Sequence, residues 1–516
     1  MPTRRDFFAG SAALLGVAVT GRAVASRAIR FKNSPFTLGV ASGYPSPSSV
    51  MLWTRLAPSP LEPGGGMPTA VVPVEWRIAR DEKMSAVVRR GTVHASAEWA
   101  HSVHVQVTGL EPAREYWYQF RAGREISVVG RTRTAPAADS PVDRLRLAVV
   151  SCQHYEHGYF SAYQHIVRDE PDLVVHVGDY IYESSQLQPA VRSHGAPEAF
   201  SLDDYRARYA LYKLDTDLAT AHRLHPWLVM WDDHEVENDY ADSTSGMGTD
   251  PQMFLARRIA ASRAYYEHMP LPPGAAPSGV VSQLYASRAF GNLASINMLD
   301  QRQYRSPRAC LKPGAKGGAR LLLDECPELL AADRTMLGGQ QEAWLSSKLA
   351  TSRARWNLLA QGTVMTHVDE LEGPGRRYWT DAWNGYPAAR ARLINTLTEH
   401  HVANAVVLSG DIHAFMVSDL HQHADELDSP VVASEFVTTS VSSNAMPQEI
   451  LSSLLPENPN IHLATTAHRG YLRLDLTPQR LQGDLIALDT VQKPSSTSKV
   501  LASYVVAADR PGPVRV

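Results

Sequence analysis

The sequence predicts a layered α/β domain that follows a small all-β domain, within a chain of 516 residues. Short apolar runs alternate with helix-like stretches from about residue 144 onward, whereas the region before it shows strand-like alternation between Gly, Pro and Ser turns. Hydrophobic residues make up 44% of the chain and charged residues 20%, values typical of a folded protein rather than a disordered one. The length suffices for two or three domains.

Charge excludes two classes of function. The formal net charge is −3, and the sequence has no long run of Lys or Arg. The sequence therefore indicates neither a nucleic-acid groove nor a patch for an anionic membrane surface. It does contain 20 histidines, a residue type that commonly binds metals.

The first 25 residues have the pattern of a signal peptide. Arg4 and Arg5 precede an apolar stretch over residues 7–20, and small residues at 23–25 provide an A-x-A cleavage site. The paired arginines favour the Tat export machinery. The alternatives are an amphipathic first helix or a membrane anchor, but the apolar stretch is short of the roughly 20 residues that span a bilayer. We therefore expect export to the periplasm or the extracellular space, without a stable membrane anchor.

Residues 36–135 are predicted to form the small β-sandwich domain. Alternating apolar segments lie between turn residues at 50–53, 71–76 and 101–107. The segment 110–118, which contains Tyr116 and Tyr118, resembles the corner before a late strand of fibronectin III-like sandwiches, where a tyrosine can hydrogen-bond back to the loop. Residues 131–143, rich in Ala, Pro and polar side chains, are interpreted as a linker.

The α/β domain is predicted over residues 144–492. Short apolar runs at 145–150, 173–177, 227–231, 356–360 and 405–408 are typical of buried strands. Helix-like stretches lie at 159–168, 255–266, 340–353 and 388–400. The C-terminal tail, residues 493–516, begins Ser/Pro-rich and contains one further candidate strand at 501–507.

Polar clusters follow four of these predicted strands. They are the segments SCQH (151–154), GDYIY (178–182), DDHEVEN (232–238) and GDIH (410–413). Ligands of α/β folds collect at the carboxyl ends of strands, so we expect the four clusters to converge. Carboxylates in such positions can hold two cations, as Asp179 would with its two oxygens, and Tyr182 lies three residues later as a possible phenolate ligand. Paired cations in such a site can activate water for in-line phosphoryl displacement.

The order of motifs along the chain carries a family resemblance. The motifs are FTLGVASGYPSPSSVMLWTRL (36–56), SCQ (151–153), HVGDYIYE (176–183), MWDDHEVEND (230–239), LDQRQYR (299–305), MLGGQQEAWL (336–345), DAWNGYPAARARL (381–393), LSGDIHAF (408–415) and EFVTTSVSS (435–443). This ordered set resembles the PhoD-like alkaline phosphatase/phosphodiesterase family of the calcineurin-like metallophosphoesterases. The resemblance covers nearly the whole chain after residue 36 and implies a metallophosphoesterase-type layered α/β sandwich.

The resemblance also implies a ligand set. It assigns Fe³⁺ to Cys152, Asp179, Tyr182 and His413, and neighbouring Ca²⁺ to oxygens that include those of Asp179, Asp233, Asn238 and Asp411. Cys152 stands where most metallophosphoesterases have Asp, and Asp233 stands where many have Asn, as the PhoD-like branch requires.

Two further residues are candidates for contact with the substrate. His234 is the candidate to contact phosphate or to protonate the leaving oxygen. Arg302 is a candidate for phosphate contact, since a guanidinium matches phosphate geometry.

Each assignment has an ordinary structural alternative. Cys152 alone would more often be a buried thiol, Asp179 a helix cap, and Tyr182 a core residue. His234 is equally compatible with a hydrogen-bonded pair with Asp232. His367 is a further candidate for lining the pocket. The aromatic residues Tyr378, Trp379, Trp383 and Tyr386 fit either a cleft wall or the core.

The chain has three cysteines. Cys310 and Cys326 flank a loop rich in Gly, Lys and Arg, and we expect them to form a disulfide in an oxidising compartment. This pairing leaves Cys152 as a free thiol or metal ligand.

The leading functional hypothesis is metal-dependent hydrolysis of small phosphate mono- or diesters outside the cytoplasm, by a monomer that scavenges phosphate. One alternative is a phospholipase D-like phosphodiesterase that acts on phospholipids through the same metal centre. The other is a catalytically degenerate surface-binding protein.

Overall fold

The computed structural model describes residues 30–516 except 187, 189–190 and 313. The predicted signal peptide at 1–25 lies outside these residues. The strands of the first region are β1 Val40–Ser46, β2 Ser49–Arg55, β3 Val72–Ala79, β4 Val87–Ala95, β5 Ser102–Thr108, β6 Glu115–Ala122, β7 Glu125–Ile126 and β8 Gly130–Arg133.

The larger region alternates strands with helices. Its strands are β9 Leu145–Val150, β10 Leu173–His176, β11 Pro226–Val229, β12 Ala286–Phe290, β13 Ala294–Met298, β14 Arg320–Leu322, β15 Trp356–Ala360, β16 Arg377–Trp379, β17 Ala405–Ser409, β18 Phe415–His421, β19 Val431–Val437, β20 Ile461–Thr465, β21 Gly470–Leu476, β22 Arg480–Leu488, β23 Ser498–Ala507 and β24 Arg510–Arg515. Its helices are α1 Ala162–Asp169, α2 Leu202–Lys213, α3 Thr216–Leu224, α4 Pro251–His268, α5 Gly338–Ala350, α6 Pro387–Glu399 and α7 Gln448–Leu454.

Two large sheets form the layers that the sequence predicts. One has ten strands in the order β24-β23-β22-β21-β9-β10-β11-β1-β2-β5, and the other has seven in the order β12-β13-β15-β17-β19-β18-β20. Leu147 and Leu358, from the two sheets, belong to one apolar cluster. Leu359, one residue later, points to the opposite side and packs with Leu345 of α5 and Leu393 of α6. The sheets therefore face each other, with helices on the outside.

The first region is a β-sandwich whose core includes Val50, Leu52 and Phe120. One of its sheets, β4-β3-β6-β7 with β8 beside β6, is separate. The other, β1-β2-β5, is continuous with the ten-stranded sheet, because β1 pairs in parallel with β11 at Gly43 and Trp227. Gly43 permits this approach, since a Cβ there would lie 2.7 Å from the Trp227 carbonyl oxygen.

Several local expectations are confirmed. The backbone N–H of Glu111 donates to the Tyr116 hydroxyl at 2.9 Å, which closes the predicted corner. Cys310 and Cys326 form the predicted disulfide. The candidate strand at 501–507 lies within β23, between the edge strand β24 and β22 of the ten-stranded sheet. Within the described residues, no helix combines the length and apolarity needed to cross a bilayer.

Candidate metal centre

The polar clusters after β9, β10, β11 and β17 converge at one edge of the facing sheets. The backbone N–H of Cys152 donates to the Gly178 carbonyl at 3.1 Å, which joins the first two clusters. Three groups of side chains place ligand atoms within 4.8 Å of one another: Cys152, Asp179 and His413; Asp179, Asp233 and His234; and Asp232, Asp233 and Asp411. Asp179 and Asp233 each belong to two groups, as expected of residues that lie between neighbouring cations.

The backbone at these positions is unusual. Cys152, Asp179, Asp411 and His413 have φ angles of 58°, 57°, 68° and 55°, in the left-handed region that non-glycine residues seldom adopt. Such conformations cost of order 1–3 kcal/mol each and cluster at functional sites. Gly178 has φ 121°, and a Cβ there would lie 2.5 Å from that of Asp232. Tight turns after the strands therefore direct these side chains into the site.

Tyr182 lies between two other candidate ligands. Its hydroxyl donates to Oδ2 of Asp179 at 2.9 Å and lies 3.0 Å from Nε2 of His413. Oγ of Ser443 lies within hydrogen-bond distance of the same hydroxyl, at 2.9 Å, and of the Cys152 carbonyl, at 2.7 Å. Ser443 is absent from the predicted site residues, although it is the last residue of the EFVTTSVSS segment.

The buried acids of the site need positive charge. Burial raises the pKa of Cys152, Tyr182, Asp179 and Asp411 well above their usual values, and neighbouring acids raise each of them further. Within the described residues, six aspartates belong to groups of side chains that could bind a metal ion: Asp179, Asp232, Asp233, Asp239, Asp381 and Asp411.

Few cations and few hydrogen bonds offset these carboxylates. Arg302 and Arg305 form ion pairs with members of this set. Oδ1 of Asp179 and Oδ1 of Asp233 are buried and have no hydrogen-bond partner among the residues that the structure describes. Since unpaired buried carboxylates are costly, the residues present fit bound metal cations.

His234 is held by a buried carboxylate. Its Nδ1 lies 2.7 Å from Oε2 of Glu183, rather than pairing with Asp232. Although burial opposes protonation, Glu183, Asp233 and Asp179 raise the pKa of His234 well above its usual value. The other oxygen of Glu183 accepts the backbone N–H of Asn238 at 2.9 Å, which ties Asn238 to the same loop.

Arg302 lies beneath the acidic residues. Its side chain is fully buried, with Nε 2.5 Å from Asp232 Oδ1 and Nη1 2.9 Å from Asp381 Oδ2. Nη2 lies 3.5 Å from Asp233 Oδ1. This arrangement favours a role as counter-ion for the carboxylates over the phosphate contact expected from the sequence.

Three aspartates of the site, Asp232, Asp239 and Asp381, are absent from the sequence-based ligand set. Asp233, Asp239 and Asp381 form a further group with ligand atoms within 4.8 Å. Asp239 immediately follows Asn238, and its Oδ2 accepts the backbone N–H of Gly318 at 2.6 Å. Asp239 could have been predicted as a ligand from the sequence, because it is the last residue of the MWDDHEVEND segment. Asp381 lies in the loop after β16, away from every predicted strand end.

A cleft of about 350 Å³ opens beside the centre, and its lining includes Asp239, Asp411 and His413. Trp379 lines this cleft, as one reading of the aromatic cluster expects, whereas Trp383 and Tyr386 are core residues. Tyr378 is also buried. His367 lines a different cavity, of about 370 Å³, where its Nδ1 lies 3.1 Å from Nη2 of Arg390.

Comparison with known proteins identifies the family. The model of the family described as "PhoD-like phosphatase" matches residues 147–485, and that of "PhoD-like phosphatase, N-terminal domain" matches residues 22–136. The chain belongs to the PhoD-like phosphatase family. Alkaline phosphatase D of Bacillus subtilis (strain 168) is 42% identical over 524 residues, which cover 99% of this chain and 88% of the relative.

A solved structure titled "Structure of PhoD" agrees with this assignment. It matches with a TM-score of 0.90 and 43% identity, over 95% of this chain and 93% of the other. Purple acid phosphatase 15 of Arabidopsis thaliana is 27% identical over 142 residues, about a quarter of each protein. The family and its site chemistry make the protein a metal-dependent hydrolase of phosphoric esters, with the α/β fold that the sequence predicts.

Proposed function

We propose that this PhoD-like phosphatase is an exported enzyme that releases phosphate from small mono- and diesters, with Fe³⁺ and Ca²⁺ as its metals. One observation carries the proposal: Cys152, Asp179 and His413 place ligand atoms within 4.8 Å of one another, and the Tyr182 hydroxyl contacts Asp179 and His413. Thiolate, phenolate, imidazole and carboxylate donors together suit a strongly charged iron(III) ion.

The neighbouring oxygens suit a different cation. Asp233, Asp411 and Asn238 offer carboxylate and amide oxygens, which are the donors that Ca²⁺ prefers. Asp179 would contribute to both sites, and Asp239 and Asp381 extend the set of oxygens. When bound, the ions supply positive charge that activates water and offsets the phosphoryl oxygens during displacement.

The protein's own side chains then divide the remaining work. His234 carries a proton toward the leaving oxygen, with Nδ1 held by Glu183 and Nε2 left to face the ester. Arg302 holds Asp232 and Asp381 in place, and its charge lowers the pKa of both carboxyls against the larger effect of burial. Ser443 fixes the Tyr182 hydroxyl through its hydrogen bond.

The proposed biological setting is phosphate scavenging outside the cytoplasm. Residues 1–25 would direct Tat export and be removed, leaving the sandwich at 36–135, the catalytic domain at 144–492 and the tail at 493–516, as a monomer. The Cys310–Cys326 disulfide is compatible with an oxidising compartment. Replacing Arg4 and Arg5 with Lys should leave unprocessed precursor in the cytoplasm, and normal export of that variant would refute the Tat route.

Metal analysis combined with ester hydrolysis tests the proposed chemistry. Purified protein should contain iron and calcium and should hydrolyse an aryl phosphate monoester or its bis-aryl diester. A calcium chelator should abolish hydrolysis, and added Ca²⁺ should restore it. Protein that remains inactive toward both esters after reloading with both metals would refute the proposed function.

A further inference from the structure

The cleft beside the metal centre is apolar along most of its length. Asp239, Asp411 and His413 contribute to the lining of its volume of about 350 Å³. The other walls are formed mainly by Val364, Val368, Trp379, Met416, Met446, Leu451 and Leu454. A substrate whose phosphate lies among the ligands would therefore direct one substituent along an apolar channel.

Two of the polar side chains in these walls, Arg320 and Asn384, have protein partners. Nε of Arg320 lies 2.7 Å from Oε2 of Glu370. The amide of Asn384 donates to the Val368 carbonyl at 3.1 Å and accepts from Arg390 at 3.0 Å. The Arg320 side chain is 51% exposed and its guanidinium lies 5.3 Å from the centre of the Trp379 ring, so the walls offer mainly apolar burial with one cation beside the indole.

Two wall elements are held in position by packing. Trp379 is the last residue of β16, and its indole packs against Gly318. Only glycine fits at position 318, because a Cβ there would lie 2.6 Å from Cζ2 of Trp379. Trp379 remains half-buried, so part of its ring is available to a ligand. Helix α7 contributes Leu451, which is buried, and Leu454, which is half-buried.

We propose that this cleft binds an apolar substituent of the phosphate ester, of the size of an aryl ring or a short alkyl chain. The proposal rests on the proposed phosphatase function and specifies its substrate class. A dry apolar cavity of about 150 Å³ holds a benzene molecule, so about 350 Å³ accommodates one ring or short chain but not two long acyl chains. Burial of the substituent against Trp379 and Leu454 would supply the binding free energy.

Competitive inhibition by phosphonates tests the proposal without requiring turnover of the probe. Methyl-, phenyl- and dodecylphosphonate are compared, with each Ki divided by that of inorganic phosphate for the same protein. Phenylphosphonate should bind about 10- to 100-fold more tightly than methylphosphonate, a range typical of apolar pockets. Dodecylphosphonate should gain little beyond phenylphosphonate, because the chain exceeds the cleft.

Variants of the lining test whether the preference for phenylphosphonate over methylphosphonate arises in the cleft. Leu454→Asp and Val368→Asp, on different elements, should each reduce the phenyl-to-methyl preference at least about fivefold, and Leu454→Met should largely keep it. The matched control is Ile450→Asp, because Ile450 lies on the same helix but is 48% exposed and outside the cleft. It should leave the preference unchanged.

The outcomes separate this inference from the proposed function. Hydrolysis with a phenyl-to-methyl preference near one would overturn the inference while leaving the phosphatase function intact. If dodecylphosphonate inhibited much more strongly than phenylphosphonate, the proposed limit on the size of the substituent would be overturned and a lipid-like substrate would be indicated. Equal loss of preference in Ile450→Asp would also overturn the assignment to the cleft. Absence of metal-dependent hydrolysis of any ester would instead refute the proposed function.

Discussion

Nδ1 of His234 lies 2.7 Å from Oε2 of Glu183, a carboxylate that is itself buried. This contact orients the imidazole and favours its protonated form. If His234 protonates the leaving oxygen, replacing His234 should slow hydrolysis most for esters with a poor leaving group. His234→Asn should slow hydrolysis of an alkyl ester by about 10²- to 10⁴-fold, and that of a p-nitrophenyl ester much less.

Glu183 is a positioning residue in this account. Glu183→Gln should slow the alkyl ester about 10- to 100-fold and again spare the p-nitrophenyl ester. The control is Glu237→Gln, since Glu237 is buried nearby but accepts from Ser245 and Arg257. Equal slowing of both esters in Glu183→Gln would mean that Glu183 only supports the fold.

Tyr182 should report on iron directly. A phenolate bound to iron(III) gives a visible charge-transfer band, so Tyr182→Phe should lose that band and part of the iron. Tyr180→Phe is the matched control, because the Tyr180 hydroxyl faces His222 and Lys213 instead of the site. An unchanged spectrum in Tyr182→Phe would exclude Tyr182 as a ligand.

The disulfide should protect the loop that it closes from proteolysis. Cys310 and Cys326 are separated by 16 residues, a loop length for which a disulfide contributes about 3 kcal/mol in the chain-entropy estimate. The Cys310→Ser/Cys326→Ser variant should therefore be cleaved by trypsin at Lys316 up to about 100-fold faster than the wild type. Equal cleavage rates would contradict this role, and three free thiols in the denatured wild type would contradict the bond.

Lys213 should make stability depend on pH. Burial lowers the pKa of Lys213 to about 7, and its Nζ lies 3.3 Å from the Tyr180 hydroxyl and 4.5 Å from the centre of a Trp53 ring. An unfolded lysine titrates near pH 10.4, so between these values the unfolded chain binds more protons and stability rises with pH. The contribution is about 1.4 kcal/mol per pH unit.

Denaturant unfolding of wild type and Lys213→Met tests this dependence. From pH 7 to 9 the wild type should gain about 2 kcal/mol relative to Lys213→Met, because the slope reaches its full value only above the folded pKa. Lys348→Met, which changes an exposed lysine, should follow the wild type. Parallel pH curves for wild type and Lys213→Met would show that Lys213 does not titrate in this range.

Local patterns predicted the catalytic strands well and some helices poorly. Strands β9 and β15 have the predicted bounds, 145–150 and 356–360, because each is a continuous apolar run that ends at polar residues. Helix α2, Leu202–Lys213, was not predicted because its buried side includes Tyr205, Arg208 and Tyr209. Its capping box, formed by Ser201 and Asp204, was the available signal.

Long-range relationships could not be predicted from the sequence. The pairing of β1 with β11 at Gly43 and Trp227 joins segments more than 180 residues apart, and neither segment has a pattern that specifies its partner. Asp381 and Arg302 lie in the family segments DAWNGYPAARARL and LDQRQYR, but neither segment specifies the contact between them, in which Nη1 of Arg302 lies 2.9 Å from Oδ2 of Asp381. The ligand types, in contrast, were predictable because they directly follow buried strands.

Asp179 offers the most direct test of the metal centre, because its carboxylate belongs to two of the ligand groups. Asp179→Ala should lose bound iron and lower hydrolysis of aryl phosphate esters by more than about 100-fold. Asp475→Ala should keep both metal and activity, since Asp475 pairs with Arg144 away from the site. Asp179→Ala protein that retains full metal content and hydrolysis would contradict the proposed centre.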